Sequence, residues 1–210
     1  MIDLTERKAY PLLVWGLGAA FFCAEYFARI APSVMVSQLM HAFQVDALGL
    51  GTLSAFFYIS YLTMQLPVGM LVDRYGAHRL LRGAAFLCGL SCIILGSAHS
   101  LWMAELSRFM IGFGASFAFV GALKLATIWF SAAHFGLLAG ATQAMGMLGA
   151  ALGEGPVALT VSVIGWRLTM HWMGVVLIVI GLLIWLFVKD HQTQHVSDEP
   201  HLVSFKDMFL

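Results

Sequence analysis

The chain has 210 residues, of which 60% are hydrophobic and 10% are charged, with eleven basic and eleven acidic side chains. A soluble domain carries about 25% charged residues, so this composition excludes a soluble globular protein and predicts an integral membrane protein. The zero formal net charge offers no basic surface for nucleic acid, and the polar segments are too short for a nucleic-acid module.

Six apolar segments are each long enough to cross a bilayer, because a transmembrane helix needs about 20 apolar residues. A backbone exposed to lipid must satisfy its own hydrogen bonds, so we predict an all-α membrane protein. The predicted spans are Leu12–Val34, Leu48–Val72, Leu80–Ala98, Trp102–Ile128, Phe135–Ser162 and Leu168–Val188. Residues 1–188 are predicted to form one helical bundle. Residues 189–210 are predicted to form a polar cytoplasmic tail or the start of a central loop.

Basic residues set the orientation, because cytoplasmic loops are enriched in Lys and Arg. Those on one predicted side are Arg7, Lys8, Arg74, Arg79, Arg82, Lys189 and Lys206. On the opposite side, the segment 34–47 carries none and only Arg167 opens the sixth span. We therefore predict a multi-pass protein of the cell (inner) membrane with both termini in the cytoplasm.

The sequence contains no pattern that predicts an enzyme. Cys23, Cys88 and Cys92 all fall in apolar stretches, without metal-ligand spacing or a disulfide framework. We find no activated Ser or Cys and no phosphate loop. We therefore expect no catalysis, no metal site and no cofactor.

The turn between the second and third spans reads GMLVDRYGAHRLLR. Asp73 can accept charge-assisted hydrogen bonds, Gly76 permits a tight turn, and Gly69 allows close helix approach. The turn resembles the gating signature loop of the major facilitator superfamily, with Ala77 in place of a usual basic residue. The matching residues are Gly69, Asp73, Arg74, Gly76 and Arg79. The alternative is an ordinary positive-inside loop that only sets topology.

Further matches to this superfamily follow in the same order. The fourth span holds RFMIGFG and ends in Trp129-Phe130, and the fifth holds Gly155-Pro156. The resemblance implies the amino-terminal six-helix half of a secondary transporter, with substrate bound at mid-membrane between two halves. The implied partners are the lipid bilayer and either a second six-helix half or another copy of this chain. The alternative is a truncated remnant that transports nothing.

The fifth span also carries two pairs of glycines spaced four residues apart. The pairs are Gly136 with Gly140, and Gly149 with Gly153. Small residues allow close helix contact in lipid. The resemblance implies that the Gly155-Pro156 face of this span meets the opposite half of the transporter. Left exposed, that face predicts a second polypeptide or an unstable product. Pro67 and Pro156 are predicted to bend their helices.

Charged residues inside spans are costly, so each is a functional candidate. Glu25 and Arg29 lie four residues apart and therefore on one helical face. The string EYFAR resembles the Tyr-x-x-Arg of anion:cation symporters, which implies that Tyr26 and Arg29 bind a small organic anion moved with protons. A guanidinium suits this task because it stays charged and offers a planar fork. The alternative is a structural ion pair between Glu25 and Arg29.

Three residues are candidates for proton coupling. Glu25 stands one turn before Arg29, whereas the symporters often have an Asp at the position of Ala28. The resemblance places Arg108 near the proton site, and a role in a buried polar network is the alternative. Glu154 could take the proton, pair with Arg108 or lie at the rim of the bundle.

Lys124 is predicted near the cytoplasmic end of the fourth span. It would either extend to the membrane interface or pair with Asp73.

Overall fold

A computed structural model describes residues 9–188, which form α-helices joined by short turns, without a β-strand. The helices are α1 (Tyr10–Val34), α2 (Val36–Phe43), α3 (Ala47–Tyr75), α4 (Ala77–Gly96), α5 (Leu101–Trp129), α6 (Ala132–Ile164) and α7 (Trp166–Phe187). Within the described part, all except the short α2 are long and apolar enough to cross a membrane. The prediction of an all-α membrane fold with six spans is confirmed. The predicted helix ends lie within about one turn of those observed.

Two groups of predictions fall outside these residues. The tail predicted for residues 189–210 is one of them. The other is the set of basic residues used to orient the termini, namely Arg7, Lys8, Lys189 and Lys206.

Helix α5 lies at the centre of the bundle and packs against α1, α3, α4 and α6. Side chains cap the starts of two helices, since Asp46 accepts from the Gly49 amide at 2.9 Å and Ser100 accepts from the Met103 amide at 3.3 Å. Gly76 alone separates α3 from α4, with φ of 88°. Because few residues other than glycine adopt that conformation, the predicted tight turn is confirmed.

Glycine sets the distance between α3 and α5. A Cβ at Gly112 would collide with the carbonyl oxygen of Phe57 and the hydroxyl of Ser60. The Ser60 hydroxyl donates to the Phe109 carbonyl at 2.7 Å, across the same contact. The backbones of α3 and α5 therefore meet directly, as small residues permit in lipid.

The glycines of α6 and Gly69 of α3 lie in two kinds of environment. Gly149 and Gly153 pack against α1, because Cβ atoms there would lie 3.1 Å from Cys23 and 2.9 Å from Ile30. This is the close helix contact that small residues permit. A Cβ atom at Gly69 would have no described neighbour within 4 Å, so Gly69 does not bring two of the described helices together. Among the glycines of α6, it is Gly136, Gly140 and Gly155 that face open space in the described part of the chain.

Candidate functional site

Charged side chains from two helices meet in the core of the bundle. Glu25 and Arg29 come from α1, and Arg108 comes from α5. Glu25 is fully buried, Arg108 is 1% exposed, and the side chain of Arg29 is 13% exposed. Two guanidinium groups and one carboxylate form this cluster, so its formal net charge is positive.

The guanidinium of Arg29 is held by an ion pair and two aromatic rings. Its Nη2 lies 2.8 Å from Oε1 of Glu25. The ring centroids of Tyr26 and Tyr61 lie 4.4 and 4.6 Å from its Cζ, within the range of cation–π attraction. Buried Nε of Arg29 and Oε2 of Glu25 have no hydrogen-bond partner. The pair therefore retains a buried donor and a buried acceptor without a partner.

Phe57 and Tyr61 of α3 complete the site, and sequence reasoning missed both. The ring of Phe57 is fully buried and lies 5.5 Å from Cζ of Arg29 and 4.6 Å from Cζ of Arg108. The rings of Phe57 and Tyr61 are stacked, with an interplanar angle of 11°. Their spacing of four residues places them on one face of α3. No local pattern indicates that this face meets α1.

Arg108 makes its hydrogen bonds to main-chain carbonyls. It donates to Ala28 at 2.9 Å, to Arg29 at 3.3 Å and to Leu53 at 3.4 Å. Among the described residues, no carboxylate lies within ion-pair distance of its guanidinium. The side chain of Arg108 thus connects α5 to the backbones of α1 and α3.

Two other acidic residues lie apart from this cluster. Glu105 is one turn before Arg108, nearer the start of α5, and its carboxylate accepts a hydrogen bond from Thr52. Glu154 is exposed on α6, and within residues 9–188 its side chain has no ion-pair partner. A direct pair between Glu154 and Arg108 is therefore not formed.

The turn between α3 and α4 is tied to the end of α5. Nζ of Lys124 lies 2.7 Å from Oδ1 of Asp73, and both side chains are exposed. Lys124 therefore pairs with Asp73, which is one of the two predicted alternatives. Arg74 lies against the ring of Tyr75 at 5.5 Å, and Arg79 is exposed.

The described residues contain no group of three or more His, Cys, Asp or Glu side chains that could hold a metal ion.

The family model of the Major Facilitator Superfamily matches residues 17–209. The chain belongs to this superfamily. With its six apolar helices, it is accordingly a multi-pass membrane protein.

Curated relatives from bacteria are similar to most of this chain. It is 28% identical over 166 residues to the uncharacterized transporter YybO of Bacillus subtilis, covering 79% of this chain and 38% of the relative. It is 26% identical over 192 residues to the probable sulfoacetate transporter SauU of Cupriavidus necator, covering 91% and 45%. It is 24% identical over 177 residues to the probable galactarate/D-glucarate transporter GudP of Escherichia coli, covering 81% and 39%. The alignments thus span less than half the length of each relative.

Proposed function

We propose that this chain is the amino-terminal half of a secondary transporter that moves a small organic anion together with protons by alternating access. The observation that carries the proposal is the cluster of Glu25, Arg29 and Arg108, with two guanidinium groups against one carboxylate. An excess positive charge inside a membrane protein is costly unless an anion balances it. An anionic substrate would supply that balance.

The substrate anion is proposed to bind the guanidinium of Arg29. The unpartnered Nε offers an N–H to a carboxylate or sulfonate oxygen, and the planar fork favours two parallel hydrogen bonds. The rings of Tyr26 and Tyr61 restrict the side chain and lower the entropy lost on binding. Sulfoacetate and galactarate, which appear in the names of two relatives, are anions of this kind.

Proton coupling is proposed to arise from competition for Arg29. Glu25 holds one edge of the guanidinium through Oε1, while its Oε2 is free to accept a proton. A neutral Glu25 would hold that edge less strongly, because a neutral hydrogen bond would replace the ion pair, and the substrate anion would then compete for the guanidinium. Arg108 supplies the second positive charge of the cluster, and Glu154 is the other carboxylate that could carry the proton.

A central cavity requires a second set of helices facing this site, either a separate six-helix half or a second copy of this chain. The proposed orientation has both termini in the cytoplasm of the cell membrane. This orientation places Asp73 and Lys124 at the cytoplasmic ends of α3 and α5.

We propose that the loop of Gly69, Asp73, Arg74, Gly76 and Arg79 takes part in gating. Asp73→Asn is expected to lower the maximal uptake rate several-fold while leaving the KM for the anion unchanged, because the loop lies at the helix ends. The Tm should change by less than about 2 °C, since exposed ion pairs contribute about 0–1 kcal/mol. Lys124→Gln is the matched variant, and a raised KM with a normal maximal rate would contradict this role.

Uptake into proteoliposomes tests the transport function. The chain would be reconstituted alone and together with a matching second six-helix half, and its oligomeric state would be measured in detergent. Radiolabelled sulfoacetate and glucarate should accumulate when the pH is lower outside than inside, and not without the gradient. Uptake by a dimer of this chain would identify the second copy as the partner.

The outcomes separate the proposal from the inactive-remnant alternative. Binding of an organic anion to the chain would raise its Tm with increasing anion concentration. Absence of both binding and uptake, with and without a second half, would favour the remnant. Uptake of a cationic or neutral solute in place of anions would contradict the role of Arg29.

A further inference from the structure

Helix α1 contains an interior proline beside the charged cluster. Pro32 has no N–H, so the carbonyl of Ala28, four residues earlier, has no intrahelical donor. The proline ring also pushes that carbonyl away from the helix axis. Ala28 is fully buried, so an unpaired carbonyl there would be costly.

Arg108 provides the missing donor. Its Nη1 lies 2.9 Å from the carbonyl oxygen of Ala28, and its Nη2 lies 3.3 Å from that of Arg29. Its Nε points to the carbonyl of Leu53 in α3 at 3.4 Å. One planar group therefore holds two successive carbonyls of α1, one turn before Pro32, and one carbonyl of the neighbouring helix.

Phe57 fixes the orientation of this group. Its ring lies 4.6 Å from Cζ of Arg108 and also contacts the guanidinium of Arg29 at 5.5 Å. Gly112, one turn after Arg108, lets the Phe57 backbone touch α5. The aromatic ring is thereby placed beside both guanidinium groups.

We infer that Arg108 is a positioning residue that clamps α1 at the Ala28 carbonyl, which Pro32 leaves without an intrahelical donor, and thereby sets the position of Arg29. Arg29 is itself one of the two residues whose carbonyls Arg108 holds. Through this clamp, a change in α5 would move the anion-binding side chain without touching the substrate. The consequence for transport rests on the proposed function, whereas the clamp itself does not.

Arg108 in this role is more than a source of positive charge. Arg108→Lys keeps the charge, but an ammonium group lacks the planar fork needed to hold three carbonyls in different directions. We expect it to raise the KM or Kd for the anion at least tenfold and to lower the Tm by roughly 5 °C. The maximal uptake rate should change much less than the KM.

A double-mutant cycle with Pro32→Ala provides the test. An alanine at position 32 restores the N–H that the Ala28 carbonyl lacks, so the clamp becomes less necessary. In the Pro32→Ala background, Arg108→Lys should raise the KM or Kd less than about threefold and lower the Tm by less than about 2 °C. Pro67→Ala in α3 is the matched control, because no Arg108 hydrogen bond goes to the carbonyl four residues before Pro67 in the described chain.

Equal effects of Arg108→Lys in the wild-type and Pro32→Ala backgrounds would overturn the clamp, as would equal relief by Pro67→Ala. If Arg108→Lys alone does not fold, the clamp predicts that adding Pro32→Ala restores a folded protein, and failure of that rescue also overturns it. The Tm cycle is measured without substrate. Coupling in Tm without any anion binding would therefore support the clamp and contradict the proposed function instead.

Discussion

Arg29→Lys is expected to reduce anion uptake at low substrate concentration by roughly 10- to 100-fold while changing the Tm by only a few degrees. A lysine keeps the positive charge opposite Glu25, so the buried carboxylate retains an ion-pair partner. It loses the planar fork and the second hydrogen bond to the substrate. A hydrogen bond to a charged group contributes about 1.5–3 kcal/mol, which corresponds to that range of affinity.

The measurement is the initial uptake rate of labelled anion as a function of concentration, with binding followed in parallel by the shift in Tm. Arg167→Lys is the matched control. Arg167 donates to the carbonyls of Gly96 and Ala98 at 3.1 and 2.6 Å, outside the cluster. Uptake should stay near wild type in that control. An unchanged KM in Arg29→Lys would remove Arg29 from the substrate site.

Glu25→Gln is expected to abolish accumulation driven by the proton gradient while preserving exchange of labelled for unlabelled anion. A glutamine resembles the protonated glutamate in shape and cannot release a proton, so the anion would move without coupling. Its side-chain oxygen can still accept from Arg29, which limits the loss of stability. Glu25→Ala would instead leave the Arg29 charge unpaired, at a cost of about 3–5 kcal/mol in the free energy of unfolding.

Accumulation and exchange would be measured in the same proteoliposomes, with Glu154→Gln as the comparison. Glu154 is exposed on α6, whereas Glu25 directly contacts Arg29. We expect Glu154→Gln to retain accumulation driven by the gradient. The opposite pattern, with coupling lost in Glu154→Gln and kept in Glu25→Gln, would assign the proton-coupling role to Glu154.

The proposed mechanism makes the ion pair between Glu25 and Arg29 both structural and functional. In the resting arrangement it neutralises one of the two buried guanidinium groups. When the anion arrives, the carboxylate is proposed to exchange its ionic contact for a proton. The negative charge of the substrate, and not a second acidic side chain, then neutralises the buried guanidinium groups.

The spacing of residues along one helix predicted part of the site. The separation of four residues between Glu25 and Arg29 predicts a shared face, and the pair is observed at 2.8 Å. The positive φ of Gly76 was likewise predictable from a tight turn between two spans. Such features depend on residues that are neighbours in the chain, so helix geometry alone specifies them.

Contacts between helices could not be predicted in the same way. Phe57 and Tyr61 reach Arg29 from α3, and the Arg108 guanidinium reaches the carbonyl of Ala28 from α5. Gly149 shows the same limit, because its spacing predicts close contact with another helix but does not say that this helix is α1. Each of these contacts joins residues far apart in sequence.

By itself, the sequence determined the number and approximate ends of the spans, the all-α fold and the likeness to the superfamily, because hydropathy and short motifs are local properties. The tertiary structure alone decided which apolar faces meet. In a soluble protein, polar residues mark the exposed face of a helix. In lipid, both the exposed and the packed faces are apolar, so only the fit of small and large side chains selects the neighbours. That fit places Phe57 beside Arg29, and Arg108 beside the carbonyl that Pro32 leaves without an intrahelical donor.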